Sequence, residues 1–180
     1  MRVITGSARG MRLFTLEGDD VRPTTDKVKE ALFSIIQFEI EGRQVLDLFA
    51  GSGQLGIEAL SRGAKNACFV DENKQAVAII NKNLEKTKLA SQASVSHTDS
   101  ISFISSTQRK FDLFFLDPPY DKGLVLRSLP LCVKKANEGA LFVCETSEKE
   151  ILPEEIDGLV FSKRYKYGKT ALTVYRKAEE

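Results

Sequence analysis

A carboxylate, two prolines and a tyrosine follow one another in Asp117-Pro118-Pro119-Tyr120. The prolines fix the backbone and lack N–H donors, so nearby carbonyl groups can accept hydrogen bonds from a ligand. The Asp117 carboxylate and the Pro118 carbonyl can each accept one hydrogen of an NH₂ group, and Tyr120 can stack on a base, worth about 1–3 kcal/mol. Two acceptors favour a pyramidal amine, whose lone pair can attack a methyl group. We therefore predict Asp117, Pro118 and Tyr120 as catalytic residues of an amine methylation, the structural alternative being a rigid turn with a packed tyrosine.

A glycine-rich turn after an apolar run is the second candidate site. Gly51, Gly53 and Gly56 match the G-x-G-x-x-G spacing, which is typical of nucleotide-like ligands but does not choose among them. Asp47 lies four residues before Gly51, at the end of the predicted strand. S-adenosylmethionine (SAM) needs a carboxylate at that point because its amino-acid end carries an ammonium beside a sulfonium. The alternative is that Asp47 only holds the loop by accepting backbone N–H groups.

Two further acids follow the next two predicted strands. Asp71 lies 20 residues after Gly51, the distance at which a carboxylate meets the ribose hydroxyls of a bound nucleotide. Asp99 can accept from the exocyclic amine of adenine. Each acid could instead cap a following helix, at 73–88 and 100–106 respectively. The predicted cofactor-binding residues are Asp47, Phe49, Ala50, Gly51, Ser52, Gly53, Asp71 and Asp99.

From residue 44 onward, strand and helix patterns alternate along the chain. Strands are predicted at 44–49, 66–71, 93–97, 111–116 and 139–145, and helices at 54–62, 73–88, 100–106 and 123–136. Such alternation is typical of a parallel sheet with helices on both faces. Residues 158–166 and 170–177 predict an antiparallel pair, which makes seven strands. The first and fourth strands should be neighbours where the strand order reverses, so the two candidate sites should meet there.

The residues before this alternation predict a small extension. Residues 2–5 and 11–15 predict a β-hairpin with arginines at its tip, and residues 26–38 have the 3.6-residue period of an amphipathic helix. Thr24 or Thr25 is the predicted N-cap of that helix. The predicted class is therefore α/β, with a Rossmann-like, mostly parallel, seven-stranded sheet plus an N-terminal hairpin and helix.

The amino-acid composition limits the classes of function that this chain could have. The 180 residues are enough for one ordinary domain, and no apolar run approaches the roughly 20 residues that span a bilayer, so we expect no membrane partner. The start of the chain lacks the apolar core of a signal peptide. Cys68, Cys132 and Cys144 are widely spaced in apolar surroundings, which predicts core thiols in a reducing cytoplasm and no metal site.

The net charge of +1 hides an uneven distribution of charged residues. Residues 1–12 contain three arginines and no acid, and residues 161–177 contain six basic residues and no acid. Both ends could present a basic face to a polyanion. A solvated surface of mixed charge explains the same pattern, so composition alone does not establish binding of nucleic acid.

Taken together, the motifs resemble class I SAM-dependent methyltransferases that modify amines, and most of all the RsmD family, which methylates N2 of one guanine in 16S ribosomal RNA. The resemblance is carried by Arg2–Gly6, Arg9-Gly10 with Arg12-Leu13, Arg22–Phe33, Asp47–Ala64, Asp117–Tyr120 and Tyr167-Gly168. The N-terminal block is the specific part, because the other core motifs occur in many methyltransferases.

This resemblance implies a substrate, a cofactor and partners. It implies SAM as methyl donor, S-adenosylhomocysteine as product, and a monomer acting on the small ribosomal subunit in the cytoplasm. It divides a single domain, 1–180, into an RNA-contacting extension at 1–43 and a SAM-binding catalytic core at 44–180. It assigns RNA contact to Arg9, Arg12, Arg22 and Thr24, with the basic C-terminal segment also meeting phosphates.

Two departures from the family pattern concern particular residues. Asp71 stands where the family more often has glutamate, so its reach toward a ribose is shorter. Lys27 and Lys29 replace arginines, which keeps the charge and loses bidentate contact with phosphate.

Three other functions remain compatible with the residues. A DNA adenine-N6 methyltransferase shares the Asp-Pro-Pro-Tyr motif but usually needs an added target-recognition domain. A protein-glutamine methyltransferase generally has asparagine in place of Asp117. A non-catalytic module that binds RNA or nucleotides could keep the same fold.

Overall fold

The computed structural model describes residues 1–17 and 25–178. Along the chain the elements are α1 (Asp26–Ile35), β1 (Gln44–Asp47), α2 (Gln54–Ser61), β2 (Asn66–Asp71), α3 (Lys74–Thr87), β3 (Ala93–His97), α4 (Ser100–Ser106), β4 (Phe111–Leu116), α5 (Leu124–Val133), β5 (Ala136–Ser147), β6 (Glu155–Ile156), β7 (Leu159–Tyr167) and β8 (Thr170–Lys177). Every strand and helix predicted from residue 44 onward is present, with ends shifted by a few residues.

One sheet runs through the molecule in the order β3-β2-β1-β4-β5-β8-β7-β6. Strands β1 to β5 are parallel, and β5, β8, β7 and β6 pair antiparallel. The prediction of seven strands was wrong by one, because β6 is only two residues long and shows no alternation that could reveal it. The α/β fold and the adjacency of β1 and β4 are confirmed.

Helices cover both faces of the sheet, because successive strand residues point to opposite sides. Val45 packs in a core with side chains of α1, α2 and α3, whereas Leu46 packs in a second core with side chains of α4 and α5. Phe114 and Phe142 stack across β4 and β5 with ring centroids 4.4 Å apart. The three cysteines are buried and free, as the sequence predicts.

The N-terminal segment forms the predicted hairpin in a short version. Arg2 and Arg12 make an antiparallel bridge, and Val3 N donates to the Met11 carbonyl at 2.9 Å and Leu13 N to the Met1 carbonyl at 3.1 Å. The intervening turn docks on the end of α2, where Ser61 Oγ donates to the Thr5 carbonyl at 2.6 Å and accepts from Ala8 N at 2.9 Å. A Cβ on Gly6 would lie 1.7 Å from the Ser61 carbonyl oxygen, so this contact requires glycine.

A buried ion pair connects α1, α2 and the N-terminal segment. Lys29 and Glu58 are both fully buried, with Lys29 Nζ 3.5 Å from Glu58 Oε2. Lys29 also donates to the Arg2 carbonyl at 2.7 Å, and Glu58 accepts from the backbone N of Ile4 and Thr5. The interpretation of Lys29 as a replacement for a phosphate-binding arginine was therefore wrong, because its charge is used inside the protein.

Candidate active site

One cavity of about 770 Å³ opens at the carboxyl ends of β1, β2, β4 and β5. Its walls combine both candidate sites of the sequence. The predicted residues that line it are Asp47, Phe49, Ala50, Gly51, Ser52, Asp71, Asp99, Asp117, Pro118 and Tyr120. This is the edge of a parallel sheet at which ligands bind, next to the point where the strand order reverses between β1 and β4.

The remaining predicted residues lie elsewhere. Gly53 is the N-cap of α2 and has a φ of 79°, and a Cβ there would press on Ile80 at 3.3 Å. Gly53 therefore shapes the loop. It does not belong to the described residues that line the cavity. Arg9 and Arg12 are exposed on the N-terminal turn, outside the cavity. The predictions for Arg22 and Thr24 fall on positions outside the described residues.

Asp47 ends β1 between two neighbouring strands and is 1% exposed. Its Oδ2 accepts from Gly56 N at 3.0 Å, while its Oδ1 has no hydrogen-bond partner among residues 1–17 and 25–178. Burial raises the pKa of this carboxyl to about 7, and the nearby charge of Asp71 adds to the rise. A buried carboxylate oxygen without a partner is costly, and a cationic group in the cavity could supply that partner.

Asp71 fastens the glycine turn to the end of β2. Its Oδ2 accepts from Gly51 N and its Oδ1 from Asn73 N, both at 2.8 Å. The alternative interpretation of Asp71 as the N-cap of α3 was wrong, because Asn73 is that cap and accepts from Gln75 N. A carboxylate has about four lone-pair positions, so both oxygens can still accept a ligand hydroxyl.

Two glycines have different reasons for lacking a side chain. Gly51 has a φ of 56° and a Cβ there would meet no atom within 4 Å, which leaves bare backbone facing the cavity. A Cβ on Gly56 would lie 2.3 Å from the Phe69 ring, so this glycine lets α2 pack closely on β2. Close helix–strand packing is the role of the third glycine in such turns.

Asp99 both caps a helix and lines the cavity. It is the N-cap of α4 and accepts from Ser102 N at 2.9 Å. Hydrogen bonds from Ser102 lower the pKa of its carboxyl, so the charged form is favoured. The capping alternative is confirmed, and it does not compete with ligand contact because the residue is exposed at the cavity edge.

Tyr120 is anchored by two residues, Glu145 and Thr170, that were not predicted from the sequence. Its hydroxyl donates to Glu145 Oε1 at 2.6 Å and lies 3.0 Å from Thr170 Oγ1. Burial and the negative charge of Glu145 raise the pKa of this phenol, so it remains a donor. Glu145, on β5, is 5% exposed and also lines the cavity. The missed signal was its place at the end of an apolar strand, the same position that drew attention to Asp47 and Asp71.

The N-terminal segment also contributes to the cavity, which the sequence did not predict. Met1, Thr15 and Leu16 line it beside the glycine turn. Asn83 of α3 is fully buried and ties the two segments together. Its Nδ2 donates to the carbonyls of Phe14 and Ser52, each at 2.9 Å, and its Oδ1 accepts from Phe14 N at 2.7 Å.

Comparison with known proteins identifies the family. The family model described as "Conserved hypothetical protein 95" matches residues 1–176. The Haemophilus influenzae protein named ribosomal RNA small subunit methyltransferase D is 36% identical, over 92% of this chain and 93% of its own. The chain belongs to the RsmD family.

Other proteins are similar to this RsmD-family chain over nearly their whole length. YlbH of Bacillus subtilis, which its name describes provisionally as an rRNA methyltransferase, is 38% identical over 98% of this chain and 99% of its own. The solved structure of yhhF from Escherichia coli, described provisionally as a methyltransferase, has a TM-score of 0.87 and 31% identity, covering 100% of this chain and 99% of its own. The predicted RsmD membership is therefore confirmed.

The described part of this RsmD-family chain has neither a metal-binding cluster nor a membrane-spanning helix. No group of three or more His, Cys, Asp or Glu side chains among those residues is placed to hold a metal ion. No helix among them is long and apolar enough to cross a membrane.

Proposed function

We propose that this protein transfers a methyl group from SAM to the exocyclic N2 amine of a guanine in 16S rRNA. The observation that carries the proposal is the single cavity that Asp47, the glycine turn and Asp117–Tyr120 line together. A donor site and an amine holder on one cavity let both reactants be held in line, which can supply up to about 7–11 kcal/mol of the barrier.

The cofactor side of the cavity fits SAM. The buried Oδ1 of Asp47 can accept from an ammonium group, which supplies the partner that residues 1–17 and 25–178 do not. Bare backbone at Gly51 allows close approach, Asp71 can accept from ribose hydroxyls, and Asp99 can accept from the adenine amine. Bound SAM supplies a methyl group on a positively charged sulfur and leaves as S-adenosylhomocysteine.

Asn83 should control SAM affinity through the two segments it joins. Asn83→Asp replaces two donated hydrogen bonds by repulsion between a carboxylate and the Phe14 and Ser52 carbonyls. We expect the Kd for SAM to rise about tenfold by calorimetry, the equivalent of roughly one such hydrogen bond.

A matched control lies one turn further along α3. Thr87 is also buried, and its hydroxyl donates only to carbonyls of its own helix, those of Asn83 and Leu84. Thr87→Val should lower the melting temperature without changing SAM affinity. Equal changes in Kd for the two variants would show that Asn83 acts through general stability alone.

The target side of the cavity fits a planar base bearing an amine. Asp117 and the Pro118 carbonyl accept the two amine hydrogens, and the ring of Tyr120, held by its hydroxyl, stacks on the base. The base must leave its stack to enter, as in other enzymes that modify bases. The family relatives named as small-subunit rRNA methyltransferases support rRNA as the substrate.

Exposed lysines beside this side of the cavity and exposed arginines on the N-terminal segment support contact with rRNA. Thr170 follows the β7–β8 turn and contacts Tyr120, so the turn lies beside the catalytic corner. Lys166 and Lys169 are exposed at this turn, and Arg9 and Arg12 are exposed on the N-terminal segment. These residues and the extension at 1–43 would bind phosphates, while 44–180 would form the SAM-binding core.

We further propose that the enzyme acts as a monomer on the small ribosomal subunit in the cytoplasm.

The test is labelled methyl transfer from SAM to small ribosomal subunits taken from cells that lack the activity, followed by nucleoside analysis and mapping of the label. We expect N2-methylguanosine at one position of 16S rRNA. N6-methyladenine in DNA with no label in rRNA would overturn the proposal, because Asp117 and the Pro118 carbonyl by themselves could also hold an adenine amine. Binding of SAM without transfer to rRNA or DNA would indicate a module that has lost turnover.

A further inference from the structure

Glu145 lies beside Asp117 at the target end of the cavity. Parallel strands β4 and β5 pair Leu113 with Leu141 and continue in register to Leu116 with Cys144. One residue further along each strand are Asp117 and Glu145, and both line the cavity. The charges of both carboxylates also act on the Tyr120 phenol, so the two groups face the same part of the cavity.

The Tyr120 hydroxyl shows that Glu145 acts as an acceptor at this position. Burial raises the pKa of the phenol, and the negative charges of Glu145 and, to a smaller extent, Asp117 add to the rise, so the hydroxyl remains protonated and donates to Glu145. A carboxylate offers about four lone-pair positions. A donor from a substrate can therefore join the tyrosine on the same group.

Nucleobases that carry an exocyclic amine differ in the ring atom next to it. In guanine the N2 amine lies between N1, which bears a hydrogen and donates, and N3, which accepts. In adenine the ring nitrogen beside the N6 amine is N1 without a hydrogen, and in cytosine it is N3, and both of these accept. A carboxylate placed on the N1 side of the guanine amine therefore attracts that edge, whereas it repels the ring nitrogen beside the amine of the other two bases.

We propose that Glu145 accepts the N1–H of the target guanine and thereby selects guanine over bases with an acceptor at that position. This inference rests on the proposed function and names the residue that sets its base specificity. Enzymes that read a substrate donor with a buried polar group reject analogues lacking it strongly, and here an acceptor at N1 would place its lone pair against a buried carboxylate. Glu145 has the necessary burial, at 5% exposed.

The experiment compares two bases at the mapped target position. Small subunits are reconstituted with 16S rRNA carrying either guanosine or 2-aminopurine riboside there, the latter keeping the amine but having an acceptor at N1. We expect the wild-type protein to prefer guanosine in kcat/KM. In Glu145→Gln the amide can still accept from Tyr120 but can also donate to N1 of 2-aminopurine, so the preference should fall at least about tenfold.

Three control measurements separate reading of the base from support of the fold. Glu138→Gln removes an exposed carboxylate at the other end of β5 and should leave the preference unchanged. Tyr120→Phe should lower kcat/KM for both bases by a similar factor, because it keeps the Glu145 carboxylate. Calorimetry with SAM should give wild-type affinity for Glu145→Gln, which shows that the variant is folded.

Each result decides between the two proposals. If Glu145→Gln lowers activity on both bases equally, or on neither, Glu145 does not read N1 and the inference is wrong, while the proposed function stands on the wild-type activity. If the wild-type protein methylates neither substrate, the proposed function fails and the inference fails with it.

Discussion

Replacing Asp117 by alanine should lower the rate of methyl transfer at least about 100-fold while the Kd for SAM changes less than about threefold. The carboxylate lies on the target side of the cavity, and its removal takes one acceptor from the amine. The cofactor side is held by other groups, namely Asp71 on Gly51 and Asn83 on Ser52. Single-turnover transfer to small subunits and calorimetry with SAM measure the two quantities separately.

Asp121 offers a matched control for the loss of charge. It lies four residues after Asp117 and accepts from Ser147 Oγ at 2.8 Å. Its φ of 60° suits asparagine as well as aspartate, so Asp121→Asn removes a nearby charge without strain. We expect near-normal transfer from it. Wild-type transfer rates in Asp117→Ala would show that Asp117 does not hold the amine.

Asp47→Asn should weaken SAM binding about 100-fold, because it removes the charge that we pair with the ammonium of SAM. Loss of one partner from a buried charge pair costs about 2–5 kcal/mol, and 100-fold in Kd lies within that range. In wild type, affinity should fall about tenfold per pH unit below pH 7, where the free carboxyl is protonated. Calorimetry across this range should show that slope in wild type and a nearly flat profile in Asp47→Asn.

The same substitution should stabilise the protein without cofactor. Burial raises the pKa of Asp47 from its ordinary 3.8 to about 7, so the folded state binds a proton more tightly than the unfolded state. The loss of folding stability caused by ionising this buried carboxyl is complete above pH 7 and disappears as the pH falls toward 4. At pH 8 Asp47→Asn should raise the free energy of unfolding by about 2–4 kcal/mol, because one pKa unit corresponds to about 1.4 kcal/mol.

Urea unfolding at pH 8 and pH 5 tests this sign directly. The gain should be smaller at pH 5, where the wild-type carboxyl is already mostly protonated. A variant that binds SAM weakly and is also less stable at pH 8 would indicate a carboxylate that is satisfied within the fold. In that case Asp47 would be a loop anchor, the alternative left open by the sequence.

Local pattern predicted much of this molecule because local pattern determines it. Apolar runs and their following turns placed β1, β2 and β4, and the acids at their ends, on one sheet edge. The features that the sequence did not predict are those set by distant contacts or by very short segments. The bond between Asn83 and Phe14 joins residues 69 positions apart, and the burial of Lys29 depends on Glu58 from another helix.

The target side of the cavity was also only partly predictable from local sequence. Asp117–Tyr120 was visible as a motif, whereas Glu145 is one acid among several in an acidic stretch. Its importance comes from the register that places β5 beside β4 and from the hydroxyl of Tyr120, 25 residues away. Strand pairing of this kind is set by the whole sheet, so the position of Glu145 after an apolar run does not by itself place it beside Asp117.

A crystal structure of the protein with S-adenosylhomocysteine tests the central claim most directly. We expect the amino group of the ligand within about 3 Å of Asp47 Oδ1, the usual length of such a bond, and its sulfur facing Asp117–Tyr120 across the same cavity. A ligand bound at the opposite edge of the sheet, or one whose sulfur points away from that corner, would contradict the account.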